Sequence, residues 1–191
     1  MKNLANKLTV FRIILVPVIL FFLLCEAISQ RYIFALAVFL IASFTDYLDG
    51  KIARKSNTIT NFGKIVDPLA DKILICSMLI CFVEFHLIPA LAVAIIVARE
   101  FIVTSVRFLV LDQNKTVISA NLWGKLKTFS QILTIIFILL VQVFSSLTLK
   151  NISFDMDILI FIQNVLIWCC MALSVISGCV YIYENRSHIK F

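Results

Sequence analysis

Residues 46–71 read DYLDGKIARKSNTITNFGKIVDPLAD, and long apolar stretches lie on both sides of this segment. Four of the seven aspartates of the chain fall within it, namely Asp46, Asp49, Asp67 and Asp71. A carboxylate inside an apolar helix costs up to roughly 2.5 to 3.5 kcal/mol at the centre of a bilayer. Four carboxylates in one short segment therefore predict bound divalent cations, a water-filled cleft, or both. The chemistry of the protein is expected in this segment.

The spacing of the polar and small residues in this segment predicts two helix faces. With about 100° of rotation per residue, one arc of about 140° holds the first group. That group is Asp46, Asp49, Gly50, Ala53 and Arg54. Gly63, Asp67 and Asp71 recur at intervals of four, which places them in a row along the next helix. Two such faces opposed across a short loop would bring the four carboxylates together.

Carboxylate oxygens are the ligands that Mg²⁺ or Mn²⁺ prefers, and a pair of such ions suits chemistry on a pyrophosphate. Gly50 and Gly63, two of only four glycines in the chain, would let a ligand approach the backbone. Arg54 adds a planar cation suited to a phosphate. The alternative is a helix end whose aspartates are solvated or paired with basic residues nearby.

The composition predicts a membrane protein and argues against a nucleic-acid partner. Of 191 residues, 62% are hydrophobic and only 15% are charged, and the mean hydropathy is +1.05. These values are too apolar for an ordinary soluble domain. The net charge is +6, but the basic residues lie singly between apolar runs, so an anionic lipid or anionic substrate is expected.

Six segments are long and apolar enough to cross a bilayer, which needs about 20 residues of helix. They lie near Leu8–Ile28, Tyr32–Ala53, Ile65–Phe85, Ile88–Leu111, Leu122–Leu147 and Ile158–Tyr183. Pro68 is interpreted as a residue at the start of the third helix. Because no repeat or flexible linker divides the chain, the sequence predicts one all-α domain over residues 1–191, a bundle of six transmembrane helices.

The basic residues of the loops predict the orientation of this bundle. Lysine and arginine are concentrated at both ends of the chain and in the second and fourth connections, and the other connections carry fewer. Cytoplasmic loops are the ones enriched in these residues. We therefore expect an integral protein of the cytoplasmic membrane, with both termini and the aspartate segment at the cytoplasmic face.

The segment resembles the CDP-alcohol phosphatidyltransferase family, because it matches the pattern D-x2-D-G-x2-A-R-x8-G-x3-D-x3-D at every position. The resemblance implies a metal-dependent membrane enzyme, usually a homodimer, that moves a phosphatidyl group from CDP-diacylglycerol to an alcohol and releases CMP. It implies that the metal ligands are Asp46, Asp49, Asp67 and Asp71. Asp71 would also be the general base. The implied nucleotide contacts are Asp49, Gly50, Ala53, Arg54 and Thr60.

A second group of ionisable residues lies outside the aspartate segment. Arg99 and Glu100 fall in the middle of the fourth span, where an ionisable residue is a functional candidate. Arg107, Lys125 and Lys127 are the further cations that would hold an acceptor phosphate together with Arg99. The alternative is that Arg99 pairs with Glu100 or another acid, and that the lysines extend toward the membrane interface.

Three runs of sequence bear on the acceptor. Residues 6–12 (NKLTVFR), 98–100 (ARE) and 124–128 (GKLKT) look like those of family members that use sn-glycerol 3-phosphate. The resemblance then implies phosphatidylglycerol phosphate as the product. Other members would use inositol phosphate, serine or phosphatidylglycerol. A small cation transporter is the alternative from a different class, although its acids would be spread along a pore.

Overall fold

The computed structural model describes the backbone of residues 2–56, 61–114, 122–147 and 156–186. Side chains are described over residues 8–45, 69–106, 122–146, 156–184 and 186. The described backbone forms six α-helices and no strand. They are α1 Lys2–Leu24, α2 Arg31–Ser56, α3 Asn61–Glu84, α4 Ala90–Asn114, α5 Leu122–Leu147 and α6 Met156–Asn185. The prediction of an all-helical protein is confirmed.

The helices form two compact units, which are described separately. The first unit comprises residues 1–82 and 135–156, and the second comprises residues 83–134 and 157–191. The first therefore contains α1, α2 and most of α3. The second contains α4, the first half of α5 and nearly all of α6. The single domain predicted for residues 1–191 stays a prediction.

In the first unit, α1 packs along α2 as a helical hairpin. The rings of Phe22 and Phe34 stack with their centroids 5.3 Å apart close to the hairpin connection. On α2, Ala35, Phe39 and Ala42 are fully buried, and their spacing of four and three residues places them on one helix face. This face is the buried apolar stripe of α2.

In the second unit, the buried face of α4 changes from apolar to polar along the helix. Ala92, Val93 and Ile96 are buried and are followed on the same face by Glu100 and Thr104, which are also buried. A buried carboxylate is costly unless it is paired. The partners of Glu100 therefore determine how this buried carboxylate is stabilised.

Two described helices are long and apolar enough to cross a membrane by length and composition. They are Leu122–Ser146 in α5 and Met156–Glu184 in α6. Large aromatic side chains also lie exposed on the helix surfaces, including Phe44, Phe101 and Phe161, as expected for helices with lipid as the solvent. A membrane protein is indicated, whereas six spans with cytoplasmic termini stay a prediction.

One helix start differs from the expectation. The helix α3 begins at Asn61, seven residues before Pro68, so the prediction that Pro68 marks its start was wrong. Helical hydrogen bonds form equally well in polar sequence, and hydropathy therefore placed the start too late. The longer helix includes Gly63, Asp67 and Asp71 together, as the spacing of four requires.

Candidate active site

The structure places the aspartate segment on the two helices that the spacing predicts. The end of α2 carries Asp46, Asp49, Gly50, Ala53 and Arg54. The first three turns of α3 carry Asp67 and Asp71. Except for Asp71, the side chains of these residues lie outside the described set, and Thr60 lies outside the described backbone. The convergence of four carboxylates and the nucleotide contacts therefore stay predictions.

Asp71 is the predicted site residue whose surroundings in the first unit are best defined. Its side chain is 42% exposed, and the Nη1 atom of Arg12 donates a hydrogen bond to its Oδ1 atom at 2.5 Å. Arg12 lies on α1, and its side chain is 1% exposed. The carboxylate is therefore held from the protein interior while part of it stays accessible. In the sequence, Arg12 stood out only as the last residue of the run 6–12, and no catalytic role was predicted for it.

The donor set of the segment suits a hard divalent cation. Four carboxylates on α2 and α3 supply only oxygen ligands, which Mg²⁺ and Mn²⁺ prefer over Zn²⁺. Among the side chains that the structure describes, no cluster of three or more potential metal ligands is found. Asp71 is the only one of the four aspartates whose side chain the structure describes. The metal assignment therefore rests on the chemistry of the carboxylate ligands.

The second unit contains a buried ionic cluster, which we define as Arg99, Glu100, Lys127, Gln131 and Ser177. The Oε1 atom of Glu100 accepts hydrogen bonds from Lys127, from Arg99 Nη1 at 3.4 Å and from Gln131 Nε2 at 3.4 Å. Arg99 Nη2 also donates to Ser177 Oγ at 2.8 Å. The cluster joins α4, α5 and α6 through one carboxylate and two basic side chains.

The four cations predicted to hold an acceptor phosphate have different surroundings. Arg99 and Lys127 are brought together by Glu100, with side chains 12% and 7% exposed. Lys125 is exposed, because residues two apart on a helix point to different sides. Arg107 lies on α4 with its side chain outside the described set. Arg99 pairs with Glu100, which is the alternative to phosphate binding that the sequence also allowed. The phosphate-binding role stays a prediction.

Gly178 explains how Arg99 fits against α6. A Cβ atom at this position would lie 3.0 Å from Cγ and 3.1 Å from Nε of Arg99. The glycine therefore leaves room for the arginine side chain to lie across α6 and reach the neighbouring Ser177. Sequence reasoning missed this contact, although Gly178 lies within an apolar helix, where a glycine often marks a close approach.

We expect Gly178→Ala to lower stability relative to a matched Gly124→Ala variant. The new methyl group requires Arg99 to shift by a few tenths of an ångström, which weakens its hydrogen bond to Ser177, whereas a Cβ at Gly124 meets no atom within 4 Å. Overpacking and a weakened hydrogen bond predict a difference of about 1 to 3 kcal/mol between the two variants. Unfolding of both in detergent measures it. Equal stability would show that Gly178 has no such role.

The family of the chain is established by comparison with known proteins. The family described as CDP-alcohol phosphatidyltransferase matches residues 2–176. This chain belongs to the CDP-alcohol phosphatidyltransferase family, as the aspartate pattern predicted.

Individual relatives are similar over nearly the whole chain. One from Bacillus subtilis (strain 168) is 38% identical, with 100% of this chain and 98% of the relative aligned. One from Rickettsia typhi is 35% identical, with 98% and 99% aligned. One from Haemophilus influenzae is 38% identical over 70% of this chain and 73% of its own. All three are named CDP-diacylglycerol--glycerol-3-phosphate 3-phosphatidyltransferase.

Proposed function

We propose that this protein transfers the phosphatidyl group of CDP-diacylglycerol to sn-glycerol 3-phosphate, forming phosphatidylglycerol phosphate and CMP. The observation that carries the proposal is its similarity along nearly its whole length to relatives named for this reaction. The complete aspartate pattern and the half-exposed carboxylate of Asp71 support the same chemistry.

The proposed reaction is a direct displacement. Asp71 accepts the proton of the C1 hydroxyl of glycerol 3-phosphate, and the resulting oxygen forms a bond to the phosphorus on the lipid side of the pyrophosphate. The bond from that phosphorus to the bridging oxygen breaks, and the oxygen leaves with CMP. A covalent intermediate is not required, because the acceptor oxygen attacks the phosphorus directly.

We assign the metal and nucleotide contacts from the family pattern. Two Mg²⁺ or Mn²⁺ ions, held by Asp46, Asp49, Asp67 and Asp71, would neutralise the pyrophosphate charge. Asp49, Gly50, Ala53, Arg54 and Thr60 would contact the cytidine nucleotide. Both assignments rest on the sequence positions of these residues.

We assign the acceptor phosphate to Arg99, Arg107, Lys125 and Lys127. In the second unit, Glu100 holds Arg99 and Lys127 together. Two basic side chains gathered at one place favour an anion such as a phosphate. Lys125, which is exposed, adds a cation that can move to meet it.

The setting that we propose is a six-helix bundle in the cytoplasmic membrane, with the termini and the aspartates at the cytoplasmic face and a second copy as partner. The support for this topology is the distribution of lysine and arginine among the loops, whereas the second copy is what the family resemblance implies. The helices α5 and α6 are long and apolar enough to be two of these six spans. The bilayer would provide the lipid substrate directly to the site.

CMP release tests this function. Purified protein in mixed micelles of CDP-diacylglycerol with Mg²⁺ is expected to release CMP when glycerol 3-phosphate is added. Inositol phosphate, serine and phosphatidylglycerol, offered separately, should give no CMP above background. Because charge neutralisation of the pyrophosphate needs the metal, EDTA should stop the reaction, and excess Mg²⁺ or Mn²⁺ should restore it.

The outcomes of this assay separate the parts of the proposal. CMP formation with another acceptor would show that the acceptor is wrong and that the reaction class is right. Full activity in EDTA would contradict the metal assignment. A burst of CMP without any acceptor would contradict the direct displacement. No CMP with any acceptor would overturn the proposed function.

A further inference from the structure

Arg12 is a fully buried cation that takes no part in the proposed mechanism. It lies on α1 with apolar residues before and after it, and its exposure is 0%. An unpaired guanidinium at such a position would be strongly destabilising. The burial of Arg12 is therefore explained by the group that its guanidinium binds.

Arg12 holds the carboxylate that the mechanism uses. Its Nη1 atom donates to Oδ1 of Asp71 at 2.5 Å, although the two residues are 59 positions apart in the chain. The pair is asymmetric, since the arginine side chain is 1% exposed and the aspartate side chain 42% exposed. The guanidinium thus approaches the carboxylate from the buried side, while part of the carboxylate side chain stays exposed.

A charge-assisted bond of this kind fixes the direction of a carboxylate. An aspartate side chain has two rotatable bonds, and holding one oxygen restricts both of them. A base that must lie within about 3 Å of a hydroxyl group depends on that restriction, because a displacement of about 1 Å can lower a rate by about 10²-fold. The alternative is that the pair only fastens α1 to α3.

We infer that Arg12 is a positioning residue, which orients the Asp71 carboxylate for proton transfer from the acceptor hydroxyl. The inference rests on the proposed function, since it requires Asp71 to act on a substrate. It goes further by naming a residue on α1, outside the aspartate segment, on which the rate depends. In the proposed reaction, Arg12 itself touches no reacting atom.

The test compares Arg12→Gln, Arg12→Lys, Asp71→Asn and the double variant R12Q/D71N in the CMP assay. Arg12→Gln is expected to lower kcat by about 10- to 100-fold and to change the KM of each substrate less than about threefold. Arg12→Lys, which keeps the charge with a different reach, should recover part of the loss. The double variant should be about as slow as Asp71→Asn alone, because Arg12 acts through Asp71.

Arg31→Gln is the control, since Arg31 is a partly buried arginine of the first unit that pairs with Glu26 and not with Asp71. Its kcat should equal that of the wild type. A kcat of Arg12→Gln within threefold of the wild type would overturn the inference. So would a double variant slowed by the product of the two single effects, which would indicate that Arg12 only fastens helices. Thermal unfolding of each variant reports that fastening, and where Arg12→Gln does not fold, the kcat of Arg12→Lys decides.

The inference and the proposed function can fail separately. If the wild type releases no CMP with any acceptor, the proposed function is wrong and the role of Arg12 falls with it. If the wild type and Arg31→Gln are active and Arg12→Lys and Arg12→Gln match them, the function stands and the positioning role is wrong.

Discussion

Asp71→Asn is expected to lower CMP formation by about 10²- to 10⁴-fold, the range measured when a general base is removed. The substitution keeps the size of the side chain and one oxygen that can accept the hydrogen bond from Arg12. It removes the charge and the capacity to take a proton. Because the substitution also removes the charge that balances buried Arg12, some loss of stability is expected, and kcat is therefore normalised to the amount of folded protein.

The matched control is Asp157→Asn, which alters an exposed aspartate in the first turn of α6. Its effect should be confined to about 0.3 to 1 kcal/mol of helix stability, with unchanged CMP formation. Raising the Mg²⁺ concentration separates the two duties assigned to Asp71. Recovery at high Mg²⁺ would mean that Asp71 is only a metal ligand, and full activity of Asp71→Asn at ordinary Mg²⁺ would contradict both duties.

Hydropathy predicted the bounds of the described helices more closely in the second, more apolar half of the chain than in the first half. The fifth helix was predicted at Leu122–Leu147, which are its observed bounds. The first helix was predicted at Leu8–Ile28 and is observed at Lys2–Leu24. A hydropathy window finds the apolar stretch, whereas a helix ends where its backbone hydrogen bonds end. Charged first turns, as at Lys2, are therefore missed.

The candidate site was likewise predicted only in part from the sequence. Spacing within one helix correctly placed Asp67 and Asp71 on α3, because positions four apart share a face. The pairs of Arg12 with Asp71 and of Glu100 with Lys127 connect residues 59 and 27 positions apart. Periodicity gives the faces of each helix but not which faces meet. An isolated ionisable residue in an apolar run marks a position that needs a partner, and the partner itself required the structure.

Glu100→Gln, in the buried ionic cluster of the second unit, is expected to lower the free energy of unfolding strongly. Glu100 is 4% exposed, and it is the acid that bonds both Arg99 and Lys127. Glu100→Gln removes its charge at nearly constant shape, which leaves two cations buried without that counterion. Breaking a buried pair by removing one partner costs about 3 to 5 kcal/mol. Unfolding of the protein in detergent should show a loss of this size.

Glu84→Gln is the control, because Glu84 is exposed at the end of α3 and a surface substitution changes stability by only about 0.5 kcal/mol. Adding Lys127→Met to Glu100→Gln should recover stability, since the double variant no longer buries the lysine charge. If Glu100→Gln unfolds like Glu84→Gln, the cluster is not a counterion network. If the double variant is less stable than Glu100→Gln, Lys127 contributes through other contacts, and the charge argument for this end of α4 fails.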